Sequence, residues 1–183
     1  MSSSAARMTH PTSTEYAPYY EKYTNLVPQG DIVSILAGQL DETIPFLRTI
    51  SESKAGYRYA PDKWSIKQLL GHINDCERVF SYRALRFARN DSQPLTGFEQ
   101  DEFVQGGDFD SRKFADLVTE FEHIRRATID LLKPLSDEAW LRRGVANDAE
   151  ITVRALAFIM AGHVAHHVQV LRERYLSAAG GGA

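Results

Sequence analysis

Apolar residues return at the 3.6-residue spacing of an α-helix in four separate stretches of this chain, and none sustains the two-residue alternation of a half-buried strand. Each such stretch must bury its apolar stripe against another, which makes an all-α four-helix bundle the economical architecture. The first begins after Asp31, a good N-cap, and carries Ile32, Ile35, Leu36, Leu40, Ile44 and Leu47 on one side. Pro45 interrupts it and predicts a kink or break, because proline lacks an N–H and clashes one turn back. The second has the clearest start signal. Ser65 and Gln68 match a capping box, and Trp64 and Leu69 occupy the staple positions across it. It is expected to run from Ile66 to about Ala88, with Asn90 and Asp91 ending it. The third is expected from about Ser111 to Leu132, with Phe114, Leu117, Val118 and Phe121 among its buried residues. A short turn is expected near Ser136–Leu141. The fourth starts after Thr152 and reaches about Tyr175, with Ile151 and Leu156 as its staple.

Residues 90–110, between the second and third helices, show no period. A connection of that length in one domain is unusual and often functional. Residues 1–15 are small and polar and 177–183 are Ser-Ala-Ala-Gly-Gly-Gly-Ala, so both ends are expected to be disordered tails around one domain at 16–176. Residues 16–30, rich in tyrosine, predict a collar or short helix laid on the body. The length of 183 residues suits one domain. A formal charge of −3 gives no general attraction to nucleic acid. No apolar run approaches the ~20 residues that span a bilayer, and the first residues lack the apolar segment of a secretory signal. The single cysteine, Cys76, excludes a disulfide framework and a Cys-rich zinc module. The expectation is a cytoplasmic protein with no membrane and no nucleic-acid partner.

The histidines are unevenly placed. His163 and His167 are four residues apart, about 40° around a helix, and share a face with Leu156, Met160, Val170 and Leu171. His72 lies on the second helix near Leu69, Cys76, Val79 and Arg83. Three imidazoles can thus enter one bundle interior from two helices. His123 points away from the core, His10 falls in the first tail, and His166 sits about 60° off His163. Three neutral imidazoles plus one open position form a recurring catalytic zinc arrangement, although nickel, iron and copper also accept imidazole. The alternative is a set of histidines that are solvated or hydrogen-bonded to backbone. His-Glu-x-x-His is absent, because Val164 occupies the glutamate position.

YRYAPDKWSIKQLLGHINDCERVFSYRALRFARND (57–91) and ITVRALAFIMAGHVAHHVQVLRERYL (151–176) resemble the first and last signatures of the DinB/YfiT-like metalloenzyme superfamily. PLTGFEQDEFV in the long loop is also similar to the family's linker. The resemblance implies a four-helix bundle with one divalent ion, zinc or nickel, held by His72, His163 and His167, with His166 as a non-ligand. It further implies an enzyme acting on a small molecule, either a hydrolase or a transferase using a low-molecular-weight thiol as co-substrate. Bundle relatives often pair, so a homodimer is expected from the same resemblance.

Residues around these ligands carry two readings each. Asp75, three residues after His72, can orient an imidazole or take a proton, or can join a bundle-surface or interhelical salt bridge. Arg83 and Arg174 each follow a histidine by eleven residues, about three turns, and return to the inner face. They can bind a substrate carboxylate or phosphate, or serve as buried ion-pair partners. Asp101, with Glu99 and Glu102, sits in the long loop and can supply a base over the open metal position, or can simply be solvated. Cys76 is a candidate fourth ligand or a small buried hydrophobe, and Glu77 is read as a structural ion-pair partner. The functional alternatives are a metal-dependent enzyme with Asp75 and Asp101 as candidate catalytic groups, a non-catalytic metal-binding stress-response bundle, and a helical interaction protein with incidental histidines.

Overall fold

Four long helices dominate the computed structural model, which describes residues 5–177: α1 (Ile32–Arg48), α2 (Ile66–Ala88), α3 (Phe114–Leu132) and α4 (Val153–Val170). Their starts follow local chemistry. Asp31 accepts from the Val33 N–H at 3.0 Å, and Thr152 accepts from the Ala155 N–H at 3.0 Å. At α2 both halves of the capping box form. Ser65 Oγ accepts from the Gln68 N–H at 3.0 Å, and Gln68 Oε1 accepts from the Ser65 N–H at 3.1 Å. Helix α3 has no capping side chain of its own. Glu52 accepts the Phe114 N–H at 2.8 Å, and the start lies three residues after Ser111, which belongs to a 3-10 turn at Phe109–Ser111.

Helix α2 packs against both α3 and α4, and α1 packs against α3 and α4. The core divides into two apolar clusters. One gathers around Leu36, Phe87, Trp140 and Phe158, and the other around Leu70, Phe109, Phe121 and Tyr175. Among the described residues, one fully buried ion pair lies between helices. Arg125 on α3 grips Glu77 on α2 with Nε–Oε1 at 2.6 Å and Nη2–Oε2 at 2.7 Å, and its Nη1 donates to Gln39 on α1 at 2.7 Å. Three helices are thereby tied at one point, and Glu77 has the structural role read for it.

Several expectations are corrected. Helix α1 does not break at Pro45 but continues to Arg48. The carbonyl that Pro45 leaves without a helical donor belongs to Asp41, which is exposed and so open to water. A two-stranded antiparallel hairpin, β1 (Arg143–Ala146) and β2 (Ala149–Thr152), precedes α4 where no strand was expected. Its turn is Asn147-Asp148, both at positive φ (52° and 60°). That is the backbone a two-residue hairpin of right-handed twist requires, and Asn and Asp tolerate it. Leu95 bridges onto Ala146, so the connection between α2 and α3 is anchored. This connection also contains a seven-residue helix, Gln100–Gly106.

Residues 5–15 are not a free tail. Ala5–Met8 form a helical turn whose Ala6 N–H donates to Asp137 at 3.0 Å. Glu15 is buried against Arg154 and accepts from Thr152 Oγ1 at 2.8 Å. His10 stacks edge-on against Phe158, centroids 4.4 Å apart. Residues 1–4 and 178–183 of the expected tails lie outside the described residues. No described helix is long and apolar enough to cross a membrane.

Candidate metal centre

His72 projects from α2 and His163 and His167 from α4, and their rings meet between the two helices. His163 Nε2 lies 3.1 Å from His72 Nε2 and 3.1 Å from His167 Nε2, and one ligand atom from each ring falls within 4.8 Å of the others. The i,i+4 spacing stacks the α4 pair, and the inner face of α2 supplies the third ring. His72 and His163 are 4% exposed and His167 9%. Burial pushes His72 down to about 4 and His167 down to about 2, the latter helped by its charged-form repulsion with His72. Burial, then His167 and His72, holds His163 well below the ordinary imidazole range.

Three Nε2 atoms therefore face one another in their neutral forms. A single proton can satisfy each nitrogen–nitrogen contact, but the shared His163 Nε2 cannot serve both neighbours equally well. A divalent cation suits this donor set. Tetrahedral zinc, with Zn–N of ~2.0–2.1 Å, sets its ligand nitrogens roughly 3.3 Å apart, close to the spacing seen here. Neutral imidazoles need release no proton to bind it. The residues present fit such an ion.

The metal-free protein is expected to lose stability on acidification. The unfolded chain takes up protons below 6.5 while these native rings do not, so folding is favoured above that pH and weakened below it, down to about 4 for His72. Each such ring contributes a slope of about 1.4 kcal/mol per pH unit. Thermal midpoints of the metal-free protein measured across this range check it, and a flat profile would contradict it.

Aromatic rings wall the centre. Trp64 stands 4.7 Å from His72 and Tyr23 stands 5.3 Å from His163, ring centre to ring centre. Tyr23 belongs to the tyrosine-rich collar, a 3-10 turn at Pro18–Tyr20 followed by a helical turn at Glu21–Thr24. Gly162 permits this contact, because a Cβ there would lie 2.0 Å from the Tyr23 carbonyl oxygen. Gly162→Ala is expected to displace the collar and cost about 1–3 kcal/mol in urea denaturation.

Two cavities flank the histidines. One, of about 240 Å³, is lined by His72, His163, Cys76, Arg83, Tyr20 and Asn147, among others. The second, of about 370 Å³, is lined by His166, His167, Trp64, Tyr59, Lys63 and Asp101. Gln100 lines the first and Asp101 the second, so the long connection roofs the space between them.

The sequence-derived site residues separate accordingly. Arg83 is buried and lines the first cavity together with His72, and Asp101 lines the second cavity. Asp75 lines neither cavity. It faces Arg78 of the same helix at 3.6 Å, one turn on, with the Glu120 and Arg112 charges near it. Three residues of helix leave it about 60° from His72, enough to turn it toward α3. Arg174 is exposed and lines neither cavity, because α4 ends in a π-helical segment, Leu171–Leu176, that takes more residues per turn and breaks the three-turn return. Cys76 Sγ is 3.6 Å from His72 Nδ1, and burial pushes its thiol up to about 12. It is a packed thiol next to a ligand ring and not one of the converging donors. Sequence reasoning missed Tyr20, Tyr23 and Asn147. The Asn-Asp dipeptide between short β-prone runs was the available signal for the last.

Comparison with known proteins agrees with this fold. The family model described as the DinB superfamily matches residues 35–171. YfiT from Bacillus subtilis, described as a probable metal-dependent hydrolase with an unusual four-helix bundle topology, superposes with a TM-score of 0.65 at 13% identity, covering 90% of this chain and 92% of YfiT. A mycothiol-dependent maleylpyruvate isomerase superposes with a TM-score of 0.61 at 12% identity, covering 75% of this chain and 58% of the isomerase. No curated protein matches the sequence.

Proposed function

The chain belongs to the DinB superfamily, and on that premise we propose that it is a divalent-metal-dependent enzyme acting on a small molecule, with His72, His163 and His167 as the metal ligands. The observation that carries this reading is the convergence of three buried imidazoles beside a cavity, with the His163 Nε2 3.1 Å from the Nε2 of each of the other two. When bound, a divalent cation with an open position supplies a nucleophile at neutral pH by lowering the pKa of water or of a thiol. The burial that keeps the imidazoles neutral prepares them as donors. Trp64 and Tyr23 hold the rings in place and keep bulk water from their faces. Asp101, exposed and lining the second cavity, is the candidate to take a proton from an incoming nucleophile.

Both hydrolysis and thiol-dependent transfer fit these roles. YfiT's description favours the first, and the isomerase's use of mycothiol favours the second. The zinc or nickel content of tag-free protein after loading tests the centre. About one ion per chain is expected, and a content far below that overturns the proposal. Loaded protein is then screened with ester and amide substrates, and with glutathione, bacillithiol and mycothiol against electrophiles. Full metal content without turnover in any arm would favour a non-catalytic metal-binding bundle.

A further inference from the structure

Among the described residues, two arginines are almost fully withdrawn from solvent: Arg125, 0% exposed, and Arg83, 4% exposed. Arg125 is matched by Glu77 in a bidentate pair. Arg83 makes no ion pair with a carboxylate among the described residues. Its Nη2 donates to the Thr96 carbonyl at 3.1 Å, and its charge acts on the Tyr20 hydroxyl in the same cavity. Glu99, the one acid lining the same cavity, is exposed and makes no ion pair with it. A guanidinium carries five N–H donors in a planar fork and cannot shed its charge, and burying such an ion without a counter-charge is costly. The fold supplies that counter-charge at Arg125 and leaves it to the cavity's contents at Arg83.

The position suits a ligand. Arg83 follows His72 by three turns of α2, and helical side chains lean toward the N-terminus, which carries the guanidinium back toward the histidines. Its field reaches the Cys76 thiol, which touches His72. Between the charge and the Nε2 cluster lies the cavity of about 240 Å³, walled by Tyr20, Phe80 and Phe98. That is below the size of pockets for drug-like ligands, and its walls suit a short apolar or flat body. We infer that Arg83 is the anion-binding group of this cavity and that the molecule acted on is a small carboxylate, its carboxylate on the guanidinium and its reacting end at the histidines. The inference rests on the reading of this cavity as the substrate site.

The test is calorimetric titration of the full chain, zinc-loaded and metal-free, with acetate, crotonate and benzoate. Benzamide serves as the neutral counterpart of benzoate, and inorganic phosphate as the competing anion. At least one carboxylate is expected to bind, and Arg83→Met is expected to weaken it roughly thirtyfold or more. Arg83→Lys keeps the charge but loses the fork, so it should bind with intermediate affinity and decides the matter if Arg83→Met does not fold. Zinc content is expected to stay equal in all three proteins. Binding undiminished in both variants, benzamide bound as well as benzoate, phosphate preferred to every carboxylate, or no carboxylate bound would each overturn the inference. Zinc content is measured separately, so an empty metal centre would show itself there while the metal-free titration still reports on Arg83.

Discussion

Zinc content is expected to fall from about one ion per chain to almost none when His163 is replaced by alanine. His163 is the hub of the cluster, with its Nε2 3.1 Å from the Nε2 atoms of both His72 and His167. Its loss leaves two donors where an open catalytic centre needs three. His166→Ala is the matched control. It sits next to His167 in sequence, with ring centres 5.0 Å apart, yet it is only half-buried and lies outside the converging donors. Cys76→Ser should likewise keep its metal, because the thiol rests against a ring rather than in the cluster. Metal analysis of the three variants beside the wild type reads the result. Full zinc in His163→Ala would remove the basis for any activity assigned to this centre.

The largest effect on stability is expected from Arg125→Met. The substitution removes one half of a fully buried ion pair and leaves the Glu77 carboxylate without its two guanidinium bonds. Unpairing a buried charge in this way costs about 3–5 kcal/mol. In a chain of this length that corresponds to a fall in the thermal midpoint on the order of 10 °C. Glu77→Leu should also destabilise, and the double variant Arg125→Met with Glu77→Leu should recover most of the loss, because replacing both charges by apolar groups removes the desolvation cost as well. Urea denaturation of the four proteins gives the cycle. Strictly additive losses would show that the pair is not coupled.

The parts of the molecule that obey a simple period were legible in its sequence. Helix α2 begins where the Ser65–Gln68 pattern places it, and the stacking of His163 on His167 follows from their spacing alone. The elements that escaped are held by contacts between residues far apart in the chain. Residues 5–15 have no apolar period, yet Glu15 finds Arg154 and Ala6 finds Asp137, partners more than a hundred positions away. The return of Arg174 to the interior assumed a uniform α-helix and fails where α4 becomes a π-helix. Asp75 was judged by its angle about one helix, and what decides its role is Arg78 and the neighbouring charges of α3. Arg83 is buried, as its three-turn spacing from His72 suggests, but only the structure shows that no acid among the described residues pairs with it.

The collar that presses Tyr23 against His163 makes residues 18–24 part of the pocket's masonry. Shortening the protein from that side, even by a stretch without a single candidate ligand, would unroof the buried imidazoles, readmit solvent to them and restore their appetite for protons. A trimmed variant that looked inert would then have lost its shelter and not its donors.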